Sequence, residues 1–365
     1  TAPFGVQVGA LASAALLVAP ALILLSALGP LAIRLTTLGL DSVGRRAGDV
    51  YALSTLGSVA GAMLAGFVLI PNLALSRIFY AIACLLLLLG ALGYRLSSLR
   101  IPLPQMAAAA VVALWGFWPR PSPRTNVLLN KDSAYGQIKV VDFQGGNRYL
   151  LVNGTSQSVA LTAKGESDSQ YCRSLELAAL LRPKAKRALV IGLGAGLLPG
   201  ALERAYGLVA DGVEIDPEIV TTARRFFGYA PKGDVSVQDG RTYLEKTQRR
   251  YGLIFLDAFG AESPPYHLFT KESFAAMHRA LEPGGVLGVN IISLVGGPGD
   301  EAWLSTFKTL KTVFPHVRAF IASDLSMSIG NVLLFCSDAP IDLSGAAPAR
   351  AFILADIAAL PSHEL

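Results

Sequence analysis

Long apolar runs fill the first third of the chain, whereas short apolar runs alternate with polar stretches in the remainder. The long runs span residues 6–28, 50–70 and 78–93. The first of them carries no charge and corresponds to about 34 Å of helix, more than the roughly 30 Å hydrocarbon core of a bilayer. The three runs therefore predict membrane-spanning helices, and Pro20 predicts a kink within the first.

Residues around these runs bear on helix packing and topology. Gly57, Gly61 and Ala65 form a row of small residues, which is typical of close helix packing or simply of a Gly-rich membrane helix. Arginines place the 34–49 segment and the segment after the third run in the cytoplasm by the positive-inside rule. A fourth run, 105–118, is only about 21 Å long as a helix. We predict that it is interfacial or re-entrant, which leaves the rest of the chain cytoplasmic.

The remainder of the chain has the pattern of an α/β protein. A Pro-rich linker, 119–126, precedes two alternating strands around a Gly-Gly turn at 145–146, which predict a small β subdomain. Strands and helices then alternate, which predicts a doubly wound α/β sheet. Helical periodicity is present at 217–227, 271–281 and 349–360. The predicted strands are Ala188–Ile191, Leu208–Ile215, Val235–Val237, Leu253–Asp257, Gly285–Ile292, His316–Ile321 and Val332–Cys336.

Composition and charge bear on whether the chain has a nucleic-acid partner, a disulfide framework or a metal site. The chain is 52% hydrophobic and 16% charged, with a mean hydropathy of +0.49. Residues 1–118 hold six Arg, no Lys and two Asp, and so carry +4 of the formal +5. The basic balance therefore belongs to the membrane part and argues against a nucleic-acid partner. The cysteines (84, 172, 336) and histidines (267, 278, 316, 363) lack the spacing of a disulfide framework or a metal site.

A glycine-rich turn follows the first predicted strand of the α/β part. In ALVIGLGAGLLPGAL, residues 188–202, an apolar run leads to Gly192, Gly194 and Gly196 and then to a helical run. This order is typical of a nucleotide-binding turn, although a merely tight turn has the same appearance.

Acidic residues end three successive strands after that turn. Glu214 lies 22 residues after Gly192, where a carboxylate can accept both ribose hydroxyls. Asp239 follows the next strand, where it can accept from an adenine amino group, and Asp257 ends the strand after that. Each acid alone fits a helix N-cap or a solvated turn. Together they favour a nucleotide and substrate site outside the strand ends.

The chain resembles the spermidine synthase family of aminopropyltransferases over roughly residues 40–340, and within it the bacterial branch fused to membrane helices. The stretch RRAGDVYALSTLGSVAGAMLAGFVLIP is similar to the membrane module of that branch. The other stretches that carry the resemblance are RYLLVNGTSQS, SQYCRSLELAALL, LVIGLGAG, VEIDP, QDGRTYL, IFLDAFG and PPYHLFTKESFAAMHRALEPGGVLGVN.

The resemblance implies a methyltransferase-like Rossmann fold with an N-terminal β subdomain, in a protein of the bacterial inner membrane. It implies polyamine biosynthesis by transfer of an aminopropyl group from decarboxylated S-adenosylmethionine to an amine, without a metal. It also implies Glu214 on the ribose, Asp239 near the adenine and Gln157 near the nucleoside. Tyr171 would lie near the substrate channel, and Asp257 would hold and deprotonate the attacking amine. A homo-oligomer is implied as well.

Three departures from the family pattern concern the acceptor. Acids of the family are replaced by Ala195, Gly260 and Arg173, which argues against a dicationic diamine held in the usual way. Arg173 either meets a substrate carboxylate, such as that of intact S-adenosylmethionine, or faces solvent. Glu262 and His267 either supply replacement substrate-binding groups or are incidental polar residues of a lid loop.

These observations predict four parts: a transmembrane helical domain (1–118), a linker (119–126), a small β subdomain (127–165) and a Rossmann-like catalytic domain (166–365). We expect a membrane-anchored aminopropyltransferase with an altered acceptor site, whose partners are a small amine, an S-adenosyl substrate and the lipid bilayer. The alternatives are an S-adenosylmethionine-dependent methyltransferase, lyase or cyclase, and a non-catalytic subunit of a membrane complex that keeps the fold.

Overall fold

The computed structural model describes residues 5–37, 39–70, 73, 75–96, 125–143, 145–161, 166–167, 169–259, 264–294, 300–322, 329–342 and 355–356. The chain divides into two compact units, Thr1–Gly90 and Ala91–Leu365. Within the described ranges the first unit is helical, and the strands all lie in the second.

The N-terminal helices are apolar and exposed. Their bounds are α1 (Gly5–Ser26), α2 (Leu28–Thr36), α3 (Val43–Leu64) and α4 (Leu75–Leu96). Two helical stretches, Val18–Thr36 and Val43–Leu69, are long and apolar enough to span a membrane, judged by length and composition alone, whereas Ile78–Gly90 is shorter. Side chains such as Leu16, 78% exposed, present the apolar surface that a helix in lipid would present.

Part of the predicted membrane-to-catalytic connection falls outside the described residues. The interfacial run 105–118 and residues 119–124 of the linker lie there. The last two residues of the predicted linker are a correction: Thr125 and Asn126 already belong to the first strand, because they pair with Phe143 and Asp142 of the next strand.

A five-stranded antiparallel sheet opens the second unit. Its strands follow chain order and are β1 (Thr125–Asp132), β2 (Gln137–Phe143), β3 (Asn147–Val152), β4 (Thr155–Leu161) and β5 (Glu166–Ser167). The predicted Gly-Gly turn is confirmed, since Phe143 pairs with Asn147 across Gly145 and Gly146. Ile138, Val140 and Leu150 are fully buried and form its core with apolar residues of the following domain.

An eight-stranded mixed sheet forms the rest of the second unit. The strand order is β13-β11-β12-β10-β9-β6-β7-β8. The five strands from β10 to β8 run parallel, and β12 pairs antiparallel with both β10 and β11. The strands are β6 (Arg187–Ile191), β7 (Val209–Glu214), β8 (Val235–Val237), β9 (Tyr251–Leu256), β10 (Leu281–Leu294), β11 (His316–Ile321), β12 (Ile329–Ser337) and β13 (Ala355–Asp356).

Helices cover this sheet, as the apolar character of the central strands requires. The helices are α5 (Gln170–Leu175), α6 (Ala178–Leu181), α7 (Leu197–Tyr206), α8 (Pro217–Phe227), α9 (Gly240–Lys246), α10 (Lys271–Ala280) and α11 (Glu301–Lys311). Every residue of β9 is buried, as expected of a central parallel strand. The buried apolar residues form two main clusters, one built around Phe274 and Trp303 and the other around Leu175 and Phe335.

Local sequence signals set the helix ends next to the site. Helix α8 begins where the Asp216 carboxylate accepts from the backbone N–H of Glu218 at 2.9 Å, with Pro217 in the first turn. It ends at Gly228, which has a positive φ of 67°. Asp239 caps α9 and Thr270 caps α10 in the same way.

The predicted doubly wound α/β sheet is confirmed, with two differences in extent. Strand β10 begins at Leu281 and ends at Leu294, beyond the predicted 285–292, because Leu281 pairs with Tyr251 of β9 and because the strand pairs with β12 past the end of β9. The helix predicted over 349–360 is wrong where the structure describes it: Ala355 and Asp356 pair with β11 as a short strand. The other residues of 349–360 lie outside the described ranges.

Candidate functional site

The glycine turn after β6 lies against the end of β9, where the strand order reverses. Gly192 has a φ of 90°, and a Cβ there would be 2.3 Å from the carbonyl oxygen of Asp257. Gly196 has a φ of 73°, and its Cβ would lie 2.5 Å from the ring of Tyr229. Gly194 also has a positive φ, 52°. The turn therefore needs glycine for its backbone conformation and for its close contacts.

The Glu214 carboxylate fixes this turn from the end of β7. Its Oε2 accepts from the backbone N–H of Leu193 at 3.0 Å, and its Oε1 accepts from that of Asp216 at 3.0 Å. Burial raises the pKa of Glu214, and the two backbone hydrogen bonds oppose that rise. Glu214 thus lines the cavity described below as a carboxylate held in place by backbone N–H groups.

Asp239 and His267 form a pair at the same edge of the sheet. Asp239 Oδ1 accepts from the backbone N–H of Thr242 at 2.9 Å, and Oδ2 lies 2.7 Å from Nε2 of His267. Partial burial opposes ionisation of Asp239, but these hydrogen bonds hold its pKa below the ordinary value. The structure therefore brings His267 beside Asp239, and the substrate-binding role of His267 stays a prediction.

Asp257 follows β9 and is held from two sides. Its Oδ1 accepts from Nδ2 of Asn290 on β10 at 2.8 Å, and its carboxylate accepts a second hydrogen bond from the Tyr171 hydroxyl. Burial raises the pKa of Asp257 to about 6, while the two hydrogen bonds oppose the rise. Burial and the negative charge of Asp257 raise the pKa of Tyr171 well above 10, so the phenol stays protonated and donates.

These groups line one cavity of about 310 Å³. The β subdomain supplies part of its wall, including Gln157 on β4 and the neighbouring Ser158, whose Oγ accepts from the backbone N–H of Ala195 at 3.1 Å. Among the described residues that line it are four carboxylates and one histidine, and neither Lys nor Arg. The carboxylates and the histidine are Glu214, Asp216, Asp239, Asp257 and His267.

Of the predicted substrate-binding residues, Arg173 is not in this wall, and Glu262 is not among the described residues. Arg173 does not line the cavity, and its Nε donates to the backbone carbonyl of Ser167 at 2.9 Å. Glu262 lies outside the described residues, as does Gly260. The cavity is lined by the predicted Gly192, Gly194, Glu214, Asp239, Asp257, Tyr171, Gln157 and His267, whereas Gly196 does not line it and lies against the ring of Tyr229.

Sequence reasoning missed Ser158 and Asn290. Asn290 had a visible signal, since it is the only polar side chain in the apolar run 286–292, and it is 1% exposed. A buried amide in the strand next to the predicted catalytic carboxylate is worth singling out, because buried polar groups need partners. Ser158 had no such signal, because its contact with Ala195 joins two separate sheets.

Sequence comparisons show which known proteins this chain is similar to. Residues 175–293 match the family described as the spermine/spermidine synthase domain. The chain is 37% identical over 129 residues to a polyamine aminopropyltransferase of Vibrio vulnificus, over 34% of this chain and 43% of that protein. It is 31% identical over 161 residues to an N-terminal histidine N-methyltransferase of Emericella nidulans, over 41% of this chain and 28% of that protein.

Solved structures support the fold. A spermidine synthase solved with the transition state analogue AdoDATO superposes with a TM-score of 0.50 at 19% identity, covering 58% of this chain and 74% of that one. The matched stretches span less than half the length of the two curated relatives named above. These comparisons show that residues 175–293 are similar to the spermine/spermidine synthase domain and that the second unit has the Rossmann-like α/β fold of a solved spermidine synthase.

Proposed function

We propose that this chain transfers a 3-aminopropyl group from decarboxylated S-adenosylmethionine to an amine. The observation that carries the proposal is the order of acids along one sheet edge within a spermine/spermidine synthase domain. Glu214 and Asp239 follow β7 and β8 on one side of the glycine turn, and Asp257 follows β9 on the other. This order gives a nucleoside and an attacking amine separate carboxylates.

The donor nucleoside would lie over the ends of β7 and β8. Glu214 is the group for the ribose hydroxyls and Asp239 for the adenine amino group, since both are anchored acceptors at strand ends. Gln157 reaches the same cavity from the β subdomain. The glycine turn lets the donor approach the backbone closely at Gly192 and Gly194, which line the cavity and carry no side chain.

The charge of the cavity favours the decarboxylated donor. Decarboxylated S-adenosylmethionine carries a sulfonium and an ammonium, both cationic, and suits a wall with four carboxylates. Intact S-adenosylmethionine adds a carboxylate, which finds neither Lys nor Arg among the described residues of the wall. Arg173, the expected partner of that carboxylate, donates to Ser167 instead.

Asp257 is suited to hold and deprotonate the acceptor. A carboxylate with a pKa of about 6 is ionised at neutral pH yet basic enough to take a proton in the reaction. The amine nitrogen attacks the donor carbon next to sulfur, and the C–S bond breaks with its electron pair going to sulfur. Methylthioadenosine leaves as a neutral thioether, and the proton lost by nitrogen passes to Asp257. Tyr171 and Asn290 keep the carboxylate oriented.

Methyl transfer is the second candidate. Ala195 is 1% exposed and packs among apolar residues at the place where the aminopropyltransferase pattern has an acid. The relative from Emericella nidulans is named as a methyltransferase. In this reaction the amine attacks the methyl carbon of intact S-adenosylmethionine, and S-adenosylhomocysteine leaves.

The remaining parts of the proposal concern the cellular location and the oligomeric state of the chain. We propose that Val18–Thr36 and Val43–Leu69 anchor the enzyme in the bacterial inner membrane, with the catalytic domain in the cytoplasm and the chain in a homo-oligomer. The acceptor site is proposed to be altered relative to the family pattern. Fractionation with carbonate washing tests the anchor, because a peripheral protein is released and a spanning one is not.

Product analysis tests the reaction. The detergent-purified chain is incubated with each donor and a panel of amines, and the nucleoside product is identified by mass spectrometry. Methylthioadenosine supports aminopropyl transfer, and S-adenosylhomocysteine supports methyl transfer. Loss of either product in Asp257→Asn assigns the turnover to this site. Absence of turnover with every pair would favour the non-catalytic assembly subunit.

A further inference from the structure

His267 lies at the end of the cavity where the donor nucleoside is proposed to bind. It lines the cavity together with Asp239 and Gly240, which follow β8. Asp257, the proposed base, follows β9, and β6 and β7 lie between β8 and β9 in the sheet. Three strand spacings correspond to about 14 Å. The contact of His267 with Asp239 therefore places it at the nucleoside end and not at the acceptor end.

The backbone that carries His267 is fixed by its neighbours. His267 is the middle residue of a short 3-10 helical turn, Tyr266–Leu268. The N–H of Leu268 donates to the carbonyl of Pro265 at 2.8 Å, and the Leu268 side chain is 3% exposed. A Cβ added at Gly240, the first residue of α9, would lie 3.4 Å from that side chain. Burial of Leu268 against α9 therefore holds His267 beside Asp239.

The hydrogen bond between His267 and Asp239 has a defined direction. Nε2 of His267 lies 2.7 Å from Oδ2 of Asp239. Partial burial opposes ionisation of Asp239, but hydrogen bonds from Thr242 and His267 hold its pKa below the ordinary value, so the carboxylate is ionised at neutral pH. An ionised carboxylate can only accept. Nε2 of His267 therefore carries a hydrogen and donates it.

Two donors together hold both oxygens of the Asp239 carboxylate. Oδ1 accepts from the backbone N–H of Thr242 at 2.9 Å, and Oδ2 accepts from His267. A carboxylate oxygen has two lone pairs, so Oδ2 retains one for a further donor. The Asp239 side chain is 28% exposed, which leaves it accessible from the cavity. The carboxylate is thus oriented and still able to accept from a ligand.

Orientation of the carboxylate matters for the amino group of adenine. That group donates in the plane of the ring, and a hydrogen bond weakens steeply as it bends. The torsion that turns a carboxylate is broad, so a hydrogen bond to Oδ1 alone would leave the position of Oδ2 poorly defined. The second donor, at Oδ2, restricts that rotation.

We infer that His267 is a positioning residue of the nucleoside site, which orients the Asp239 carboxylate toward the amino group of adenine. This role takes the place of the acceptor-binding role expected from the sequence. The inference rests on the proposed function in one respect, namely that an adenine nucleoside occupies the cavity.

A deamino analogue of methylthioadenosine, in which hydrogen replaces the amino group of adenine, isolates this role. Binding of both nucleosides is measured by calorimetry for the native full chain and for His267→Leu, which cannot donate to Asp239. We expect His267→Leu to weaken methylthioadenosine binding about tenfold and to change binding of the analogue by less than about twofold. A purely structural role would weaken both nucleosides equally, and that result overturns the inference. An unchanged or higher affinity for methylthioadenosine overturns it as well.

Two further variants serve as controls. His267→Gln retains an N–H donor at this position, and we expect it to keep the methylthioadenosine affinity within about threefold of the native value. His278→Leu removes another His–Asp pair, in which Nε2 of His278 lies 2.9 Å from Oδ1 of Asp338, and neither residue lines the cavity. We expect no change in affinity from it. A loss in either control as large as that in His267→Leu contradicts the inference.

The titrations also separate this inference from the proposed function. They are repeated with S-adenosylhomocysteine, which carries the same adenine and is the product of methyl transfer. A loss that depends on the amino group, without turnover of either S-adenosyl donor, supports the inference and contradicts the function. Aminopropyl transfer with an equal loss for methylthioadenosine and its analogue does the reverse. If neither methylthioadenosine nor S-adenosylhomocysteine binds the native chain, the inference is wrong.

Discussion

Gly192 has both a positive φ and a close contact with the backbone that follows β9. Replacing it tests how the glycine turn is held against β9. Its φ of 90° is outside the region that L-residues occupy readily. The added Cβ of Gly192→Ala would lie 2.3 Å from the carbonyl oxygen of Asp257 and 2.8 Å from Cα of Ala258. Both contacts are backbone, so relief requires the turn to move by about 1 Å.

The variant Gly207→Ala is a matched control that separates the cost of backbone strain from the cost of a steric clash. Gly207 also has a positive φ, 69°, but a Cβ there meets nothing within 4 Å. Gly207→Ala should lower the free energy of unfolding by about 1 kcal/mol, from backbone strain alone. Gly192→Ala adds the displacement of the turn, and overpacking of this kind costs about 1–3 kcal/mol. We therefore expect Gly192→Ala to be destabilising by about 2–4 kcal/mol.

The assay measures stability and nucleoside binding together. Thermal unfolding of the purified chain is followed by calorimetry for the native protein, Gly192→Ala and Gly207→Ala, and methylthioadenosine binding is measured below the transition. We expect Gly192→Ala to lower the affinity at least about tenfold and Gly207→Ala to leave it unchanged. If both variants unfold at the same temperature and bind equally, the turn does not depend on its contact with Asp257.

Four further predictions address the charged groups. The rate with saturating donor should rise with pH through about 6 as Asp257 ionises, and Asp257→Asn should lower it at least about 100-fold; a flat profile contradicts the assigned base. Because the folded state raises the pKa of Asp257, its favourable contribution holds at low pH and is lost above about 6, so Asp257→Asn should raise the melting temperature at pH 8 and not at pH 4. Glu214→Gln should weaken methylthioadenosine binding at least about tenfold, since the amide nitrogen cannot accept from Leu193 or Asp216 while it donates; unchanged affinity in titration refutes the ribose role. Arg173→Ala should leave the affinity for either S-adenosyl donor unchanged in calorimetry, whereas a selective loss for intact S-adenosylmethionine would restore its carboxylate-binding role.

The sequence alone is sufficient to predict those parts of the structure that local sequence patterns determine. The glycine turn, the caps at Asp216 and Asp239, and the short apolar strands depend on neighbours within a few residues, so the predicted strands agree with the observed ones to within a few positions. The acids at strand ends were predictable for the same reason. Parallel strands bring their carboxyl ends to one edge, and Glu214, Asp239 and Asp257 all line the cavity there.

Contacts that depend on strand order could not be read from the sequence. Asn290 reaches Asp257 because β10 lies next to β9, and His267 reaches Asp239 across 28 residues of sequence. The extension of β10 to Leu294 depends on β12 pairing antiparallel beside it. The strand at Ala355 replaced an expected helix because pairing with β11 overrides local periodicity at the edge of the sheet.

The acids at this sheet edge differ in their hydrogen-bond partners, as the proposed reaction with two substrates requires. Glu214 and Asp239 are held by backbone N–H groups that exist whenever the fold exists, so their positions are set before any ligand arrives. Asp257 is held only by side chains, Tyr171 and Asn290, in a buried environment that raises its pKa. Burial also raises the pKa of Glu214, so the difference lies in the partners: backbone N–H groups hold Glu214 and Asp239 as fixed acceptors, whereas Asp257, with a pKa raised to about 6, has side-chain partners and suits the proposed proton transfer. Replacing Asn290 by Asp would place a second carboxylate against Asp257, and one of the two would then retain a proton at neutral pH. The neutral amide at position 290 therefore orients the Asp257 carboxylate without adding a second negative charge, which suits the proposed role of Asp257 as a base.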